Sequence, residues 1–73
     1  MNKNTTIHLY TTQDTRTWRI TVADGKSSIN RPIPLSQRQI DAVIDRVMRG
    51  QKRGTAGWTT EHLDAPEIRW EIA

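Results

Sequence analysis

Residues Pro34 to Gly50, PLSQRQIDAVIDRVMRG, carry a helix start, an apolar stripe and a helix stop in one register. Ser36 reads as the N-cap, and Gln39 three residues on is placed to return the capping-box bond to it. Leu35 before the cap and Ile40 after it have the spacing of a hydrophobic staple. Ile40, Val43, Ile44, Val47 and Met48 recur at helical spacing and form one face with Ile44 at its centre. Gly50 ends the run. A helix of about 13 residues is roughly 20 Å long, which matches a strand of about six residues. One such helix can therefore cover one sheet.

The sheet is read upstream of the helix. Residues 5 to 12, TTIHLYTT, alternate, with Ile7 and Leu9 on one face and His8 and Tyr10 on the other. Residues 15 to 23, TRTWRITVA, alternate again, with Trp18, Ile20 and Val22 together. A hairpin centred on Gln13 and Asp14 sets Ile7 opposite Ile20, Leu9 opposite Trp18 and His8 opposite Arg19. Asp24-Gly25 is a type I′ turn signal, because both central positions of that turn need positive φ. A third strand over residues 26 to 31 follows, pairing Ile29 with Ile20, and Pro32 and Pro34 end it.

Downstream, GQKRGTAG over residues 50 to 57 has three glycines and no aliphatic residue larger than alanine, so it reads as a mobile loop. Thr59 or Thr60 can cap a single helical turn through Leu63, and Asp64-Ala65-Pro66 reads as a turn. EIRWEI, residues 67 to 72, alternates as a fourth strand, with Ile68, Trp70 and Ile72 inward. The expected fold class is α+β: a single-layer antiparallel meander with one helix packed on it, order βββαβ, in one small domain spanning residues 1–73. The fourth strand is expected beside strand 1, giving the spatial order 3-2-1-4, with a place beside strand 3 as the alternative. The expected core is Ile7, Leu9, Trp18, Ile20, Val22, Ile29, Ile40, Val43, Ile44, Val47, Ile68, Trp70 and Ile72.

Seventy-three residues lie near the lower limit for a self-sufficient core, and without cysteine no disulfide framework can support it. Self-association into a homodimer is expected, because it protects free strand edges and adds buried surface. No apolar run reaches the roughly 18 residues of a membrane span, and the N-terminus lacks the layout of a signal peptide. The expectation is a soluble cytoplasmic protein without membrane contact. The net charge of +3 conceals an uneven distribution. Residues 16 to 53 hold nine cations against Asp24, Asp41 and Asp45, for +6, whereas residues 54 to 73 hold Glu61, Asp64, Glu67 and Glu71 against Arg69, for −3.

Catalysis needs a nucleophile with a base and an orienting group, or a metal with several ligands. The chain has two histidines, His8 and His62, and no phosphate loop, dinucleotide fingerprint or carboxylate dyad. Glu61, His62 and Asp64 lie close in sequence, but a solvated turn accounts for them better than a metal site. No enzyme activity, catalytic residue, metal or cofactor is expected.

Two binding readings remain. Arg46, Arg49, Lys52 and Arg53 run off the helix end towards Trp58, where a phosphate backbone and a stacked base would fit, with Arg31 or Arg38 assisting. The same cations also suit the negative end of a helix dipole, and Asp45 can pair with Arg49. The second surface is the sheet face turned from the helix, around Tyr10, Arg19 and His8. Its neighbours there are Thr6, Thr17, Thr21, Ser28, Asn30 and Arg69. With Tyr10 as its one expected aromatic, that face falls short of an RNA-binding sheet. The acidic last strand opposes nucleic acid, so a protein-protein adaptor or inhibitor ranks first, anchored by Trp58, Tyr10 and arginines. Nucleic-acid binding is the alternative. Accessory proteins of phages and plasmids have this size and economy, an analogy of class alone.

Overall fold

Alternating side chains make the first hairpin, and its register follows from which residues must be dry. In a computed structural model, which describes residues 4–61 and 65–73, β1 (Thr5–Thr11) and β2 (Thr17–Ala23) pair antiparallel with Ile7 opposite Ile20 and Leu9 opposite Trp18. Asp14 holds the connection, accepting from the Thr11 hydroxyl and from the Arg16 backbone N–H at 2.8 Å. Asp24 and Gly25 have φ values of 54° and 77°, as a type I′ turn requires. They lead into β3 (Lys26–Ile29), where Ile29 faces Ile20. The strand is shorter than expected, although Asn30 and Arg19 still exchange hydrogen bonds past its end.

Helix α1 (Gln37–Met48) begins as its sequence indicates. Ser36 accepts from the Gln39 N–H at 3.2 Å, and the Gln39 side chain accepts from the Ser36 N–H at 2.8 Å. Leu35 and Ile40 are both buried in the core. Replacing Ser36 by alanine is expected to cost about 1 kcal/mol. The fold should persist, with a thermal midpoint about 4–8 °C lower. An unchanged melting curve followed by circular dichroism would mean that the cap contributes nothing.

The element order is βββαββ, not βββαβ, because residues 53 to 58 form a strand that takes up most of the stretch 50 to 57 where a mobile loop was expected. The sheet runs β3-β2-β1-β5-β4, with β4 (Arg53–Trp58) on its edge and β5 (Glu67–Ile72) between β4 and β1. The last strand thus lies antiparallel beside β1, but as an inner strand rather than the edge. RGTAGW has weak intrinsic strand preference, and tertiary contacts override it. A side chain at Gly54 would meet the Trp70 ring at 3.2 Å, so the glycine leaves room for that fully buried ring. The Gln39 amide donates to the Trp58 carbonyl at 3.3 Å, and Thr60 N–H donates to Pro34 O at 2.8 Å.

The core also departs from expectation at the margins. Ile29 is 41 % exposed because β3 is an edge with no element beyond it. Ile44, Val47 and Ile72 pack against the core without being enclosed, and Val43, not Ile44, is the buried centre of the helical face. Ile33, Leu35, Ala56 and Ala65 are buried instead; Ile33, between Pro32 and Pro34, and Leu35 join the core from the segment before the helix. The helical turn expected from Thr59 or Thr60 through Leu63 and the turn Asp64-Ala65-Pro66 both include residues from 62–64, which lie outside the described residues.

Candidate functional site

Strict alternation along β4 would put Arg53, Thr55 and Gly57 on one face and turn Trp58 to the helix side. A bulge between Thr55 and Gly57 changes this. Ala56 is the extra residue and is buried, Gly57 adopts φ 110°, and Trp58 emerges opposite Glu67 on the outer face. Trp58 is 61 % exposed there, so it is not a plug in the core. Gly57 is needed for two reasons: its φ disfavours any L side chain, and a Cβ would stand 2.7 Å from Gln39 Nε2.

The pairing builds the rest of the face in rows. Thr17, Tyr10, Arg69 and Thr55 form one row across four strands, and Arg19, His8, Glu71 and Arg53 form the next. Tyr10, Arg53, Thr55 and Arg69 border a shallow hollow of about 300 Å³ floored by Gly54 and Trp70. Trp58 stands beside it, roughly 12 Å from Tyr10 by ordinary strand and row spacings. The face therefore carries two aromatics, a correction to the single one expected. Its charges are mixed: Arg69 pairs with Glu67 at 3.3 Å, and Arg53 lies across from Glu71.

The basic cluster is divided between elements. Arg53 belongs to the sheet face, while Arg46 lies in the last turn of the helix, Arg49 is its C-cap and Lys52 lies between them and β4. Arg49 pairs with Asp45 at 2.9 Å, an exposed i,i+4 pair worth only a few tenths of a kcal/mol. Arg38 is exposed on the helix, apart from the sheet face. Thus Arg53, Trp58, Tyr10, Arg19 and His8 share one face, and Arg46, Arg49 and Lys52 do not join it. Thr55, the bulge and the place of Trp58 beside them are the parts that sequence reasoning missed, whereas Arg69 stands on the face where it was expected. The one usable signal was the pair of glycines three apart just before a tryptophan.

A second hollow of about 370 Å³ lies where Trp18 is flanked by Arg16 and Arg31, whose guanidinium carbons are 5.7 and 5.8 Å from its ring centroid. Its cations are already engaged. Arg16 bonds Glu61 and Asp14, and Arg31 donates to the Thr17 carbonyl. The bond to Glu61, then that to Asp14, raises the Arg16 pKa, and the Thr11 hydroxyl followed by the Arg16 N–H lowers that of Asp14. Arg31 thus ties β2 to the segment before α1, and Arg16 ties the first hairpin to Glu61 after β4. Of the Glu61, His62 and Asp64 cluster, His62 and Asp64 lie outside the described residues. Among the described residues no three histidine or carboxylate side chains converge as metal ligands, and no helix is long and apolar enough to cross a membrane.

No family model matches the chain, and the searches of curated proteins and of solved structures found no match.

Proposed function

We propose that this chain is a non-catalytic binding protein, an adaptor or inhibitor that covers part of a protein partner with its open sheet face. The observation that carries the reading is the placement of Trp58, exposed on the same face as Tyr10, Arg53 and Arg69. Tryptophan, tyrosine and arginine dominate interface hot spots, since each combines a large contact area with a directed polar group. Mixed charge suits a protein surface better than a phosphate backbone, which Glu67 and Glu71 would repel. The cytosol remains the expected compartment for this cysteine-free chain, and the phage or mobile-element class remains an analogy.

The test begins with a partner captured from cell extract and then purified. Trp58→Ala should weaken direct binding at least about tenfold, or ~1.4 kcal/mol. The melting curve should barely move, because the ring is largely in water. Full affinity in Trp58→Ala, with loss on exchanging Arg46 and Lys52 for glutamate, would move the site to the helix end.

Nucleic-acid binding is kept as the second reading because two aromatics and several arginines now share an antiparallel sheet, an arrangement on which bases can stack. A labelled single-stranded oligonucleotide decides it. Phosphate binding must weaken steeply with added salt.

A further inference from the structure

We propose that β4 is the joint of a symmetric dimer, its open edge pairing antiparallel with the β4 of a second copy of this chain. The inference goes beyond the binding reading and does not depend on it. Strand β4 has β5 as its one strand neighbour, and on its other side the carbonyl of Trp58 at the far end is taken by the Gln39 amide. Ile72 N–H bonds the Lys52 carbonyl at 2.8 Å, so by antiparallel alternation the N–H and C=O of Arg53 and Thr55 face away from β5. Unpaired groups of this kind on an extended strand are a template for another strand.

The ends of β4 differ in a way that selects the occupant. Arg53 stands at one end, next to Lys52. Arg46 lies two helical turns beyond Gln39, and so on the side of α1 that reaches β4. Trp58 stands at the other end, beside Glu67. A two-fold axis with antiparallel strands brings Arg53 of each copy towards the Trp58 and Glu67 of the other, joining cation to aromatic ring and carboxylate. Parallel pairing would bring Arg53 against Arg53. The opposite edge is poorly suited, since β3 has four residues and is followed within three by Pro32. The bulge after Thr55 restricts the regular ladder to the start of β4, so the dimer should dissociate on dilution. In the dimer the two outer faces form one continuous surface.

Sedimentation of the full chain over a wide concentration series tests this. The mass should rise from the 8.4 kDa of one chain towards twice that value. Thr55→Pro removes an outward N–H and spares the bonds to β5, so it should melt as the parent does and stay at the mass of one chain. Arg53→Glu should weaken association at least tenfold, and adding Glu67→Arg should restore it. If Thr55→Pro fails to melt cooperatively, the charge exchange decides alone. A parent that keeps the mass of one chain throughout overturns the proposal and leaves the edge to a foreign strand. Association unchanged by Arg53→Glu or by a folded Thr55→Pro overturns it as well, and places the contact elsewhere.

Discussion

Val43→Asp is expected to abolish the fold. Val43 is 1 % exposed at the centre of the face that α1 turns to the sheet, among the residues that pack with Ile40, Leu9 and Trp70 into one core. Aspartate there must either lose its hydration as an unpaired carboxylate or take up a proton, and it also forfeits the packing of the valine. An uncompensated buried charge costs about 3–5 kcal/mol, and lost burial of the side chain adds about 1.5 kcal/mol or more. A chain of this length has a total stability of only about 4–11 kcal/mol at ordinary values per residue. Circular dichroism should show no cooperative melt, whereas Val43→Ala should stay folded at a lower midpoint. The same change at Ile44 should be milder, because Ile44 lies at the border of the core, where a carboxylate can reach water. A cooperative transition in Val43→Asp near that of the parent would mean that α1 does not cover the sheet as described.

The second large effect is expected at Gly57. Gly57→Ala places an L side chain at φ 110°, a strained conformation costing about 1–3 kcal/mol. It also pushes the Gln39 amide aside, since the new Cβ would stand 2.7 Å from Nε2. The displaced amide loses its bond to the Trp58 carbonyl, and with it a link between α1 and β4. If the strand relieves the strain by losing the bulge, Trp58 turns towards the helix side, so binding should fall together with stability. Gln39→Ala separates the two causes: it removes the amide and leaves the backbone of Gly57 relaxed, so it should cost less than Gly57→Ala. Equal losses in the two variants would show that the backbone at Gly57 carries no strain worth counting.

Much of the fold was legible because the deciding interactions are local or periodic. The cap at Ser36, the stripe Ile40, Val43, Ile44 and Val47, the Asp24-Gly25 turn and the facing pairs Ile7 with Ile20 and Leu9 with Trp18 each lie within one element or one hairpin. Their geometry is set by dihedral preference and by period, which are properties of short stretches. The sheet face with Tyr10, His8 and Arg19 was legible for the same reason.

The site was less so, and β4 explains why. Residues 53 to 58 offer no alternation, carry two glycines and end in a tryptophan, which taken alone describes a loop. They become a strand because β5 presents an unpaired edge, the Trp70 ring needs a neighbour without a side chain, and Gln39 reaches across from the helix. Each of those causes lies at least nine residues away along the chain. The basic cluster is divided for a related reason: neighbours in sequence at a helix end part company once Arg53 joins a strand whose side chains follow the pleat of the sheet.

By itself, then, the chain determined its helix, its first three strands and last strand, their facing residues, and the polar side of the sheet, through local dihedral preference and apolar period. Strand β4, its bulge and the outward turn of Trp58 were decided only by tertiary structure. A glycine-rich segment has no strong conformational preference of its own, so the packing of Trp70 and the hydrogen bonds of its neighbours chose its conformation.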